Sequence, residues 1–154
     1  MRQIIVPLCD LRAQYLLLKK EIDSAVSSVL HRGDYVMGGE VLQFEGEWAE
    51  YCKAKYCVAV SSGTDALYLS LIALKRLGYH YVETTPFTFF ATSQACVSSG
   101  MLMKFLDVGE GGLLVVPPNS STSDKHIYLP VNLYGRPAPL EAGVMVVEDA
   151  AQSH

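Results

Sequence analysis

The chain has 154 residues, about the length of one domain, and half of them are hydrophobic, which is enough to build a core and excludes a disordered chain or a coiled coil. Only 18% of the residues are charged, and sixteen acidic residues outweigh twelve basic ones, for a net charge of −4. This composition excludes the basic surface that binds nucleic acid, and no cluster of Lys and Arg is dense enough to bind an anionic membrane.

The first ten residues contain only a short apolar run, which Pro7 interrupts. Such a run is too short for a membrane span and lacks the features of a secretory signal, so we expect a cytoplasmic protein. Four cysteines and four histidines are scattered along the chain at spacings that match no zinc or redox motif. We therefore expect buried, reduced thiols and no metal site.

Two helices are predicted in the first third of the chain. Apolar residues recur at helical spacing from Asp10, a suitable N-cap, to a basic C-terminal signal that ends at Gly33. A second apolar stripe predicts a helix from about Glu40 to Lys53. The loop between them holds three glycines and Tyr35, which could face a ligand or a partner chain, or could pack into the core.

After residue 55 the pattern changes to short apolar runs separated by turns and helices, which is typical of α/β architecture. The predicted strands cover residues 56–60, 102–108, 126–133 and 143–148, and the segment 61–67 is followed by a helix to about Arg76. Several of these strands are apolar on both faces, which favours a parallel sheet covered by helices.

Small and hydroxyl-bearing residues join the first of these strands to the helix, in the sequence Ser61-Ser62-Gly63-Thr64. Small residues let the backbone approach a ligand closely, and the helix that follows presents free N–H groups and the positive end of its dipole. This pattern indicates an anion site, most naturally for a phosphate. An ordinary helix cap gives the same pattern, and neither a Walker loop nor a dinucleotide fingerprint is present.

Two further segments carry side chains suited to a ligand. The segment 85–92 places three phenylalanines beside Pro86 at the mouth of a helix, where they could stack on a flat ring or anchor the helix in the core. The apolar run 143–147 ends in Glu148 and Asp149, and ligands of open α/β sheets bind at such strand ends. An acidic strand end can also be solvated or cap the next helix.

Taken together, these segments resemble the DegT-type family of pyridoxal-phosphate-dependent sugar aminotransferases, within the fold-type I superfamily. The matching residues occur in family order over nearly the whole chain: Val6-Pro7, Asp10-Leu11, Gln14-Tyr15, Gly38, Glu40-Val41, Phe44-Glu45, Val58 to Leu67, Thr85 to Phe89, Leu133-Tyr134-Gly135 and Glu148 to Gln152. The resemblance implies a three-layer α/β major domain, with a mostly parallel sheet and flanking helices, of which residues 1–154 form an incomplete N-terminal part. The family's C-terminal small domain is then absent.

The resemblance also implies roles for single residues. Ser62, Gly63 and Thr64 would hold the phosphate of pyridoxal 5'-phosphate, and Phe89 would stack on its ring. Asp149 would keep the ring nitrogen protonated, which strengthens the ring as an electron sink, and Gln152 would bond the ring hydroxyl. Tyr35 would line the sugar pocket or the dimer contact. The implied reaction is transamination of a nucleotide-linked keto-sugar, with glutamate as amino donor, in a homodimer.

The sequence departs from the family pattern in two ways. The family's Schiff-base lysine lies further along the chain than Asp149, and none of the seven lysines present falls at a corresponding position. Three crossover connections also look too short: residues 78–82 lack the family's Gly-rich turn, residues 107–127 lack a helix, and only seven residues separate Gly135 from Gly143.

Two alternatives to the aminotransferase therefore stay open. One is a sugar dehydratase of the same family, in which histidine replaces the lysine. The other is a non-catalytic remnant. The chain itself is either a shortened derivative or the joined parts of a longer one.

Overall fold

The computed structural model describes residues 6–115, 125–140 and 143–153. The chain divides into two compact units, Met1–Ala59 and Val60–His154. The assignment of the whole chain to one major domain stays a prediction. In the described part of the chain, no helix is both long enough and apolar enough to span a membrane.

The first unit begins with helix α1, Leu11–Arg32, whose two ends are those predicted. The Asp10 carboxylate accepts a hydrogen bond from the Ala13 N–H at 2.9 Å, which satisfies one of the free donors at the helix start. Gly33 ends the helix in a left-handed conformation, φ 74°, and its N–H donates to the Val29 carbonyl oxygen. Local capping chemistry thus sets both boundaries.

Helix α2, Gly39–Tyr51, confirms the second predicted helix and ends two residues earlier than expected. Phe44, Trp48 and Tyr51 stack along it with ring centroids 5.7 and 5.3 Å apart. Arg32 forms ion pairs with Asp34 and Glu40 across the loop between the helices.

The predicted strand 56–60 is wrong. This segment is irregular, with Tyr56 and Val58 about three-quarters exposed, and the Ala59 N–H donates to Glu45 Oε1 at 2.7 Å. A strand needs a neighbour to take up its backbone N–H and C=O groups. The described residues offer this segment no such neighbour, so its β-favouring composition has nothing to pair with.

The described residues of the second unit form two α-helices, a short 3-10 helix (Leu133–Gly135) and a four-stranded sheet in the order β2-β1-β3-β4, with every pair parallel, as predicted. Its elements, in chain order, are α3 (Gly63–Arg76), β1 (Tyr81–Thr84), α4 (Phe90–Ser98), β2 (Leu102–Phe105), β3 (His126–Tyr128) and β4 (Met145–Val146). The strands predicted at 102–108, 126–133 and 143–148 are therefore present and shorter, and β1 was not among them.

One face of this sheet carries the main core. Helices α3 and α4 pack there, and the buried side chains are Leu67, Leu71, Val82, Ala95, Cys96 and Ile127, among others. Full burial of a leucine or isoleucine stabilises the fold by roughly 1.5–3 kcal/mol. The four cysteines are free, and Cys96 is buried as expected, whereas Cys9 and Cys52 are exposed.

The opposite face carries a buried carboxylate. Glu83 on β1 is 4% exposed, and its Oε1 accepts a hydrogen bond from the ammonium group of Lys104 at 3.0 Å. The register pairs Glu83 with Lys104 on β2 and with Tyr128 on β3, so the ion pair is a direct cross-strand contact. His126 Nδ1 lies 3.7 Å from the same carboxylate oxygen.

The connections explain where a ligand can enter the sheet. The chain leaves β1 through α4 to reach β2 on one side, whereas β3 pairs with the other side of β1 and leads on to β4. Connections that diverge in this way open a crevice at the carboxyl ends of the strands, where ligands of parallel α/β sheets bind. The segments that follow β1, β3 and β4 meet at this edge.

The connection from β3 to β4 is longer than the sequence suggested. It runs from residue 129 to residue 144, which is sixteen residues, because β3 ends at Tyr128 and not near Leu133. This exceeds the dozen or so that a parallel crossover needs, so the expected deficit there is wrong. Residues 107–115 contain no helix, as predicted, and residues 116–124 lie outside the described part of the chain.

Candidate functional site

A pocket of about 240 Å³ lies at the carboxyl ends of the strands in the second unit. Its walls come from four separate segments: Gly63 and Thr64 at the start of α3, Thr88 and Phe89 at the start of α4, Asn132 after β3, and Asp149 and Gln152 after β4. The pocket therefore brings together five of the residues that the sequence singled out, Gly63, Thr64, Phe89, Asp149 and Gln152.

The start of α3 is built by its serines. Ser62 is the N-cap, and its Oγ accepts a hydrogen bond from the Asp65 N–H at 3.1 Å. The hydroxyls of Ser61 and Ser62 in turn donate to the Asp65 carboxylate, and these two hydrogen bonds lower the pKa of Asp65. The hydroxyl of Ser62 is thus engaged within the helix start, and its predicted contact with a phosphate stays a prediction.

Gly63 and Thr64 are the first two residues of α3 and face the pocket. The N–H groups of a first helical turn have no carbonyl partner inside the helix, and the helix dipole makes this end electropositive. With the Thr64 hydroxyl beside them, these groups can hold an anion such as a phosphate.

Phe89 is the N-cap residue of α4, and its side chain is 76% exposed. The turn before it is fixed by Thr85, a buried residue whose Oγ1 accepts a hydrogen bond from the Phe87 N–H at 3.0 Å. The Thr88 and Thr92 hydroxyls are hydrogen-bonded at 3.1 Å. A rigid turn therefore presents an aromatic face at the pocket wall, where a flat ring can stack.

Asp149 extends the parallel pairing of the sheet beyond β4. Its N–H donates to the Pro130 carbonyl oxygen and its carbonyl oxygen accepts from the Asn132 N–H, both at 2.9 Å. Its carboxylate Oδ1 accepts from the Ala151 N–H at 3.2 Å, which leaves Oδ2 for a ligand. The acidic group predicted at a strand end is therefore held there by the sheet itself.

Gln152 lies beside Asp149 in the wall of the pocket and holds a turn on the neighbouring loop. Its Oε1 accepts a hydrogen bond from the Tyr134 N–H at 2.6 Å. Tyr134 has φ 57°, a left-handed conformation that is uncommon for a residue other than glycine. The same amide keeps its Nε2 as a donor for a ligand oxygen.

A second pocket of about 300 Å³ adjoins the first. Pro86, Phe87 and Tyr134 line only this pocket, and it shares four residues with the first: Thr88, Phe89, Leu133 and Gln152. Ligand pockets commonly measure about 300 to 1,000 Å³, so the two together provide the space that a ligand larger than one ring needs.

Tyr35 lies in the first unit, apart from these pocket residues in the chain. Its side chain is 65% exposed, and its hydroxyl donates to the Leu30 carbonyl oxygen at 3.3 Å. Exposure excludes the interpretation that Tyr35 packs into the core of this unit. Its role toward a sugar or a partner chain stays a prediction.

The sequence predicted no role for three of the residues that line the pockets, Thr88, Asn132 and Tyr134. Asn132 lies inside the strand predicted at 126–133, whereas β3 ends at Tyr128, so the strand-end rule that found Asp149 could not single it out. Tyr134 could be read only as a part of a family motif, because its backbone conformation has no local sequence signal.

The donor set of the pocket fits a phosphorylated, flat heterocycle. Free N–H groups and a threonine hydroxyl suit the phosphate, Phe89 suits the ring face, and a carboxylate and an amide suit polar ring atoms. No lysine lines either pocket among the described residues. Within the same residues, no group of three or more His, Cys, Asp and Glu side chains could hold a metal ion.

The model of one protein family, the DegT/DnrJ/EryC1/StrS aminotransferase family, matches residues 17–154 of the chain. Among curated proteins, dTDP-3-amino-3,4,6-trideoxy-alpha-D-glucose transaminase of Streptomyces venezuelae is 36% identical over 97% of this chain and 42% of its own length. UDP-2-acetamido-2-deoxy-3-oxo-D-glucuronate aminotransferase of Pseudomonas aeruginosa is 32% identical over 97% of this chain and 45% of its own length.

Solved structures give the same picture. The chain superposes on S. venezuelae DesV in complex with a ketimine intermediate with a TM-score of 0.82 and 34% identity, over 99% of this chain and 44% of that one. It also resembles the E. coli GDP-4-keto-6-deoxy-D-mannose-3-dehydratase with bound hydrated PLP, with a TM-score of 0.67 and 25% identity, over 81% of this chain and 36% of that one. The chain thus spans less than half the length of these relatives.

Proposed function

This chain belongs to the DegT/DnrJ/EryC1/StrS aminotransferase family, whose members depend on pyridoxal phosphate, and on that premise we propose that it carries the cofactor-binding part of a nucleotide-sugar aminotransferase. The proposed reaction moves an amino group from glutamate to a nucleotide-linked keto-sugar. The names of the matched relatives support the substrate class, since two of them are transaminases of nucleotide-linked sugars.

The single observation that supports the proposal best is the meeting of four chain segments in one pocket. The start of α3, the start of α4 and the segments after β3 and β4 are brought there by the divergence of the connections around β1 and β3. Each segment presents a different polar or aromatic group. The set matches the chemistry of the cofactor, which when bound supplies a ring that accepts electrons from the reacting carbon.

Each residue has one task in this proposal. The first-turn N–H groups at Gly63 and Thr64 bind the phosphate, and Phe89 stacks on the ring. The Asp149 carboxylate accepts a hydrogen bond from the ring nitrogen and holds the proton there. Gln152 donates from Nε2 to the ring hydroxyl oxygen while its Oε1 stays bonded to Tyr134.

The test is the binding of pyridoxine 5'-phosphate, a cofactor analogue that has the ring and the phosphate but no aldehyde to react with surface lysines. Calorimetric titration of the chain should give saturable binding that Asp149→Asn weakens. Asp107→Asn changes an exposed aspartate that lies outside both pockets, and it should bind as the unchanged chain does. Absence of binding to the unchanged chain would refute the proposed function.

A sugar dehydratase is the second candidate, because a solved structure with 25% identity to this chain is a 3-dehydratase. The proposed pocket would hold the cofactor in either case, so the residues described above serve either reaction. Incubation of the protein with a nucleotide-linked 4-keto-sugar and glutamate separates them, since the aminotransferase yields an amino-sugar and the dehydratase yields a sugar that has lost a hydroxyl group. If the chain is instead a non-catalytic remnant, neither product forms.

We propose a homodimer in the cytoplasm as the working form. Large apolar side chains along α1 are exposed in the single chain, including Leu11, Leu17, Leu18, Val26 and Leu30. An exposed apolar surface of this kind marks a contact with another protein surface. Sedimentation equilibrium should give twice the mass of the chain, and a monomer at all concentrations would refute the dimer.

A further inference from the structure

Asn132 contacts the residues at both ends of the segment 149–152, which carries Asp149 and Gln152. Its side-chain Nδ2 donates to Glu148 Oε1 at 2.7 Å and to Ser153 Oγ at 2.9 Å. Glu148 is the residue immediately before this four-residue segment, and Ser153 is the residue immediately after it. One amide group therefore bridges the two points where the segment begins and ends.

The other polar groups of Asn132 are also hydrogen-bonded. Its Oδ1 accepts a hydrogen bond from the Ala138 N–H at 2.8 Å, and its backbone N–H donates to the Asp149 carbonyl oxygen at 2.9 Å. The residue is 2% exposed. Both protons of the amide are engaged, so the side chain keeps no donor for a ligand, although it lies in the pocket wall.

We infer that Asn132 is a positioning residue, which sets the distance between the carboxylate of Asp149 and the amide of Gln152 so that both meet one ring. This inference rests on the proposed function, because it assigns the two groups to the cofactor ring. A hydrogen bond between an amide and a carboxylate is charge-assisted and therefore stronger than one between neutral groups, so the link to Glu148 is the firmer of the two. Glu148 is exposed and Ser153 is partly exposed, so the fixed point of this network is the buried Asn132 amide, whose two donors and one acceptor are all engaged.

The chemistry of the Asn132–Glu148 contact allows a test by exchange of donor and acceptor. Asn132→Asp has nearly the same shape but replaces the donating amino group with a carboxylate oxygen, which then faces the Glu148 carboxylate at hydrogen-bond distance. Glu148→Gln in the same chain supplies a new amino group to donate in the opposite direction. The Ser153 hydroxyl can rotate to donate, and the acceptor for the Ala138 N–H is retained.

Two measurements report on the bound ligand and do not depend on catalytic activity. Calorimetry with pyridoxine 5'-phosphate gives the affinity, and ultraviolet absorption of the bound ring against pH gives the pH at which its nitrogen loses a proton. Asn132→Asp should weaken binding about 10-fold to 100-fold, the range known for the loss of an outer hydrogen-bond partner of a metal ligand. It should also shift the pH at which the bound ring loses its proton. The double variant should restore both values toward those of the unchanged chain.

Thr84→Val is the matched control. It removes a buried hydrogen bond of 2.8 Å, from Thr84 Oγ1 to the Leu129 carbonyl oxygen, in the same sheet without touching residues 148–153. It should bind the analogue and titrate as the unchanged chain does. If Asn132→Asp does not fold, Ser153→Ala removes only the downstream contact and should still weaken binding.

The outcomes separate the two levels of the proposal. Failure of the unchanged chain to bind the analogue refutes the proposed function. Binding by the unchanged chain, together with Asn132→Asp or Ser153→Ala variants that bind and titrate identically, refutes the positioning role alone. A folded double variant without recovery also refutes it, because it would show that the donor and acceptor arrangement is irrelevant.

Discussion

The backbone N–H of Tyr134 donates to Oε1 of Gln152 across 2.6 Å, and this hydrogen bond holds Tyr134 at φ 57°. Left-handed backbone costs roughly 1–3 kcal/mol for a residue other than glycine and persists only where the surroundings impose it. Gln152 is part of those surroundings. One side chain therefore serves the wall of the first pocket and the backbone of the second.

Two substitutions of Gln152 should separate these tasks. Gln152→Leu removes both the acceptor and the donor, and we expect it to lower the free energy of unfolding by about 1 kcal/mol and to weaken binding of pyridoxine 5'-phosphate. Gln152→Glu keeps an oxygen for the Tyr134 N–H but loses Nε2, so binding should weaken while stability is retained. Urea denaturation and calorimetry measure the two effects. Gln94→Leu, an exposed position on α4, is the control, and an equal loss of stability there would contradict the assignment.

Asp65 should make the stability of α3 depend on pH. The hydroxyls of Ser61 and Ser62 donate to its carboxylate and lower its pKa from the usual 3.8. A folded-state pKa below that of the unfolded chain stabilises the fold above pH 3.8, and this contribution disappears as pH falls through the folded-state pKa. Asp65→Asn should therefore lower the Tm at neutral pH by more than in acid. Thermal denaturation followed by circular dichroism from about pH 2 to pH 7 measures the gap, and a gap that is constant with pH would contradict this role of Asp65.

The cysteines should differ in reactivity. Burial raises the pKa of the Cys96 thiol to about 11, so almost none of the reactive thiolate exists near neutral pH. Cys9 and Cys52 are exposed. Brief treatment with iodoacetamide in mildly alkaline buffer, followed by peptide mass spectrometry, should label Cys9 and Cys52 and spare Cys96. In urea all should react, and rapid labelling of Cys96 in the folded chain would contradict its burial.

Lys104 should stabilise the sheet mainly because it donates a hydrogen bond to the buried carboxylate of Glu83. Lys104→Met leaves the buried Glu83 carboxylate without its hydrogen-bond donor on β2. We expect the free energy of unfolding to fall by about 1–2 kcal/mol. This is less than for a fully buried ion pair, because the Lys104 side chain is 62% exposed. Adding Glu83→Gln removes the unpaired charge and should recover part of the loss. If the losses of Lys104→Met alone and Glu83→Gln alone add up to the loss in the double variant, the two side chains are not coupled.

Short-range signals in the sequence were the most reliable. Helix α1 is bounded by Asp10 and Gly33, two residues that act on their immediate neighbours, and both bounds agree with the structure. The parallel strands could be placed because short runs that are apolar on both faces are typical of a sheet covered by helices. Asp149 could be found because a strand end is visible as a change from apolar to acidic residues.

Features that depend on distant partners could not be predicted. Residues 56–60 have the composition of a strand, but pairing requires a neighbour that the segment itself does not reveal. Asn132 contacts residues that lie 6, 16 and 21 positions away, and an isolated asparagine after a strand gives no sign of that. The left-handed turn at Tyr134 likewise depends on Gln152, eighteen residues later.

The separation of the pocket segments along the chain links ligand binding to folding. Thr64, Phe89 and Gln152 lie in parts of the chain that meet only when the sheet has formed. The unfolded chain therefore has no binding site, and ligand binding shifts the folding equilibrium toward the folded state. At a ligand concentration about 100 times the Kd this linkage adds about 2.7 kcal/mol to the free energy of unfolding. The cofactor of such a protein is thus also a folding partner, because a higher concentration of it leaves a smaller unfolded fraction for proteases to cleave.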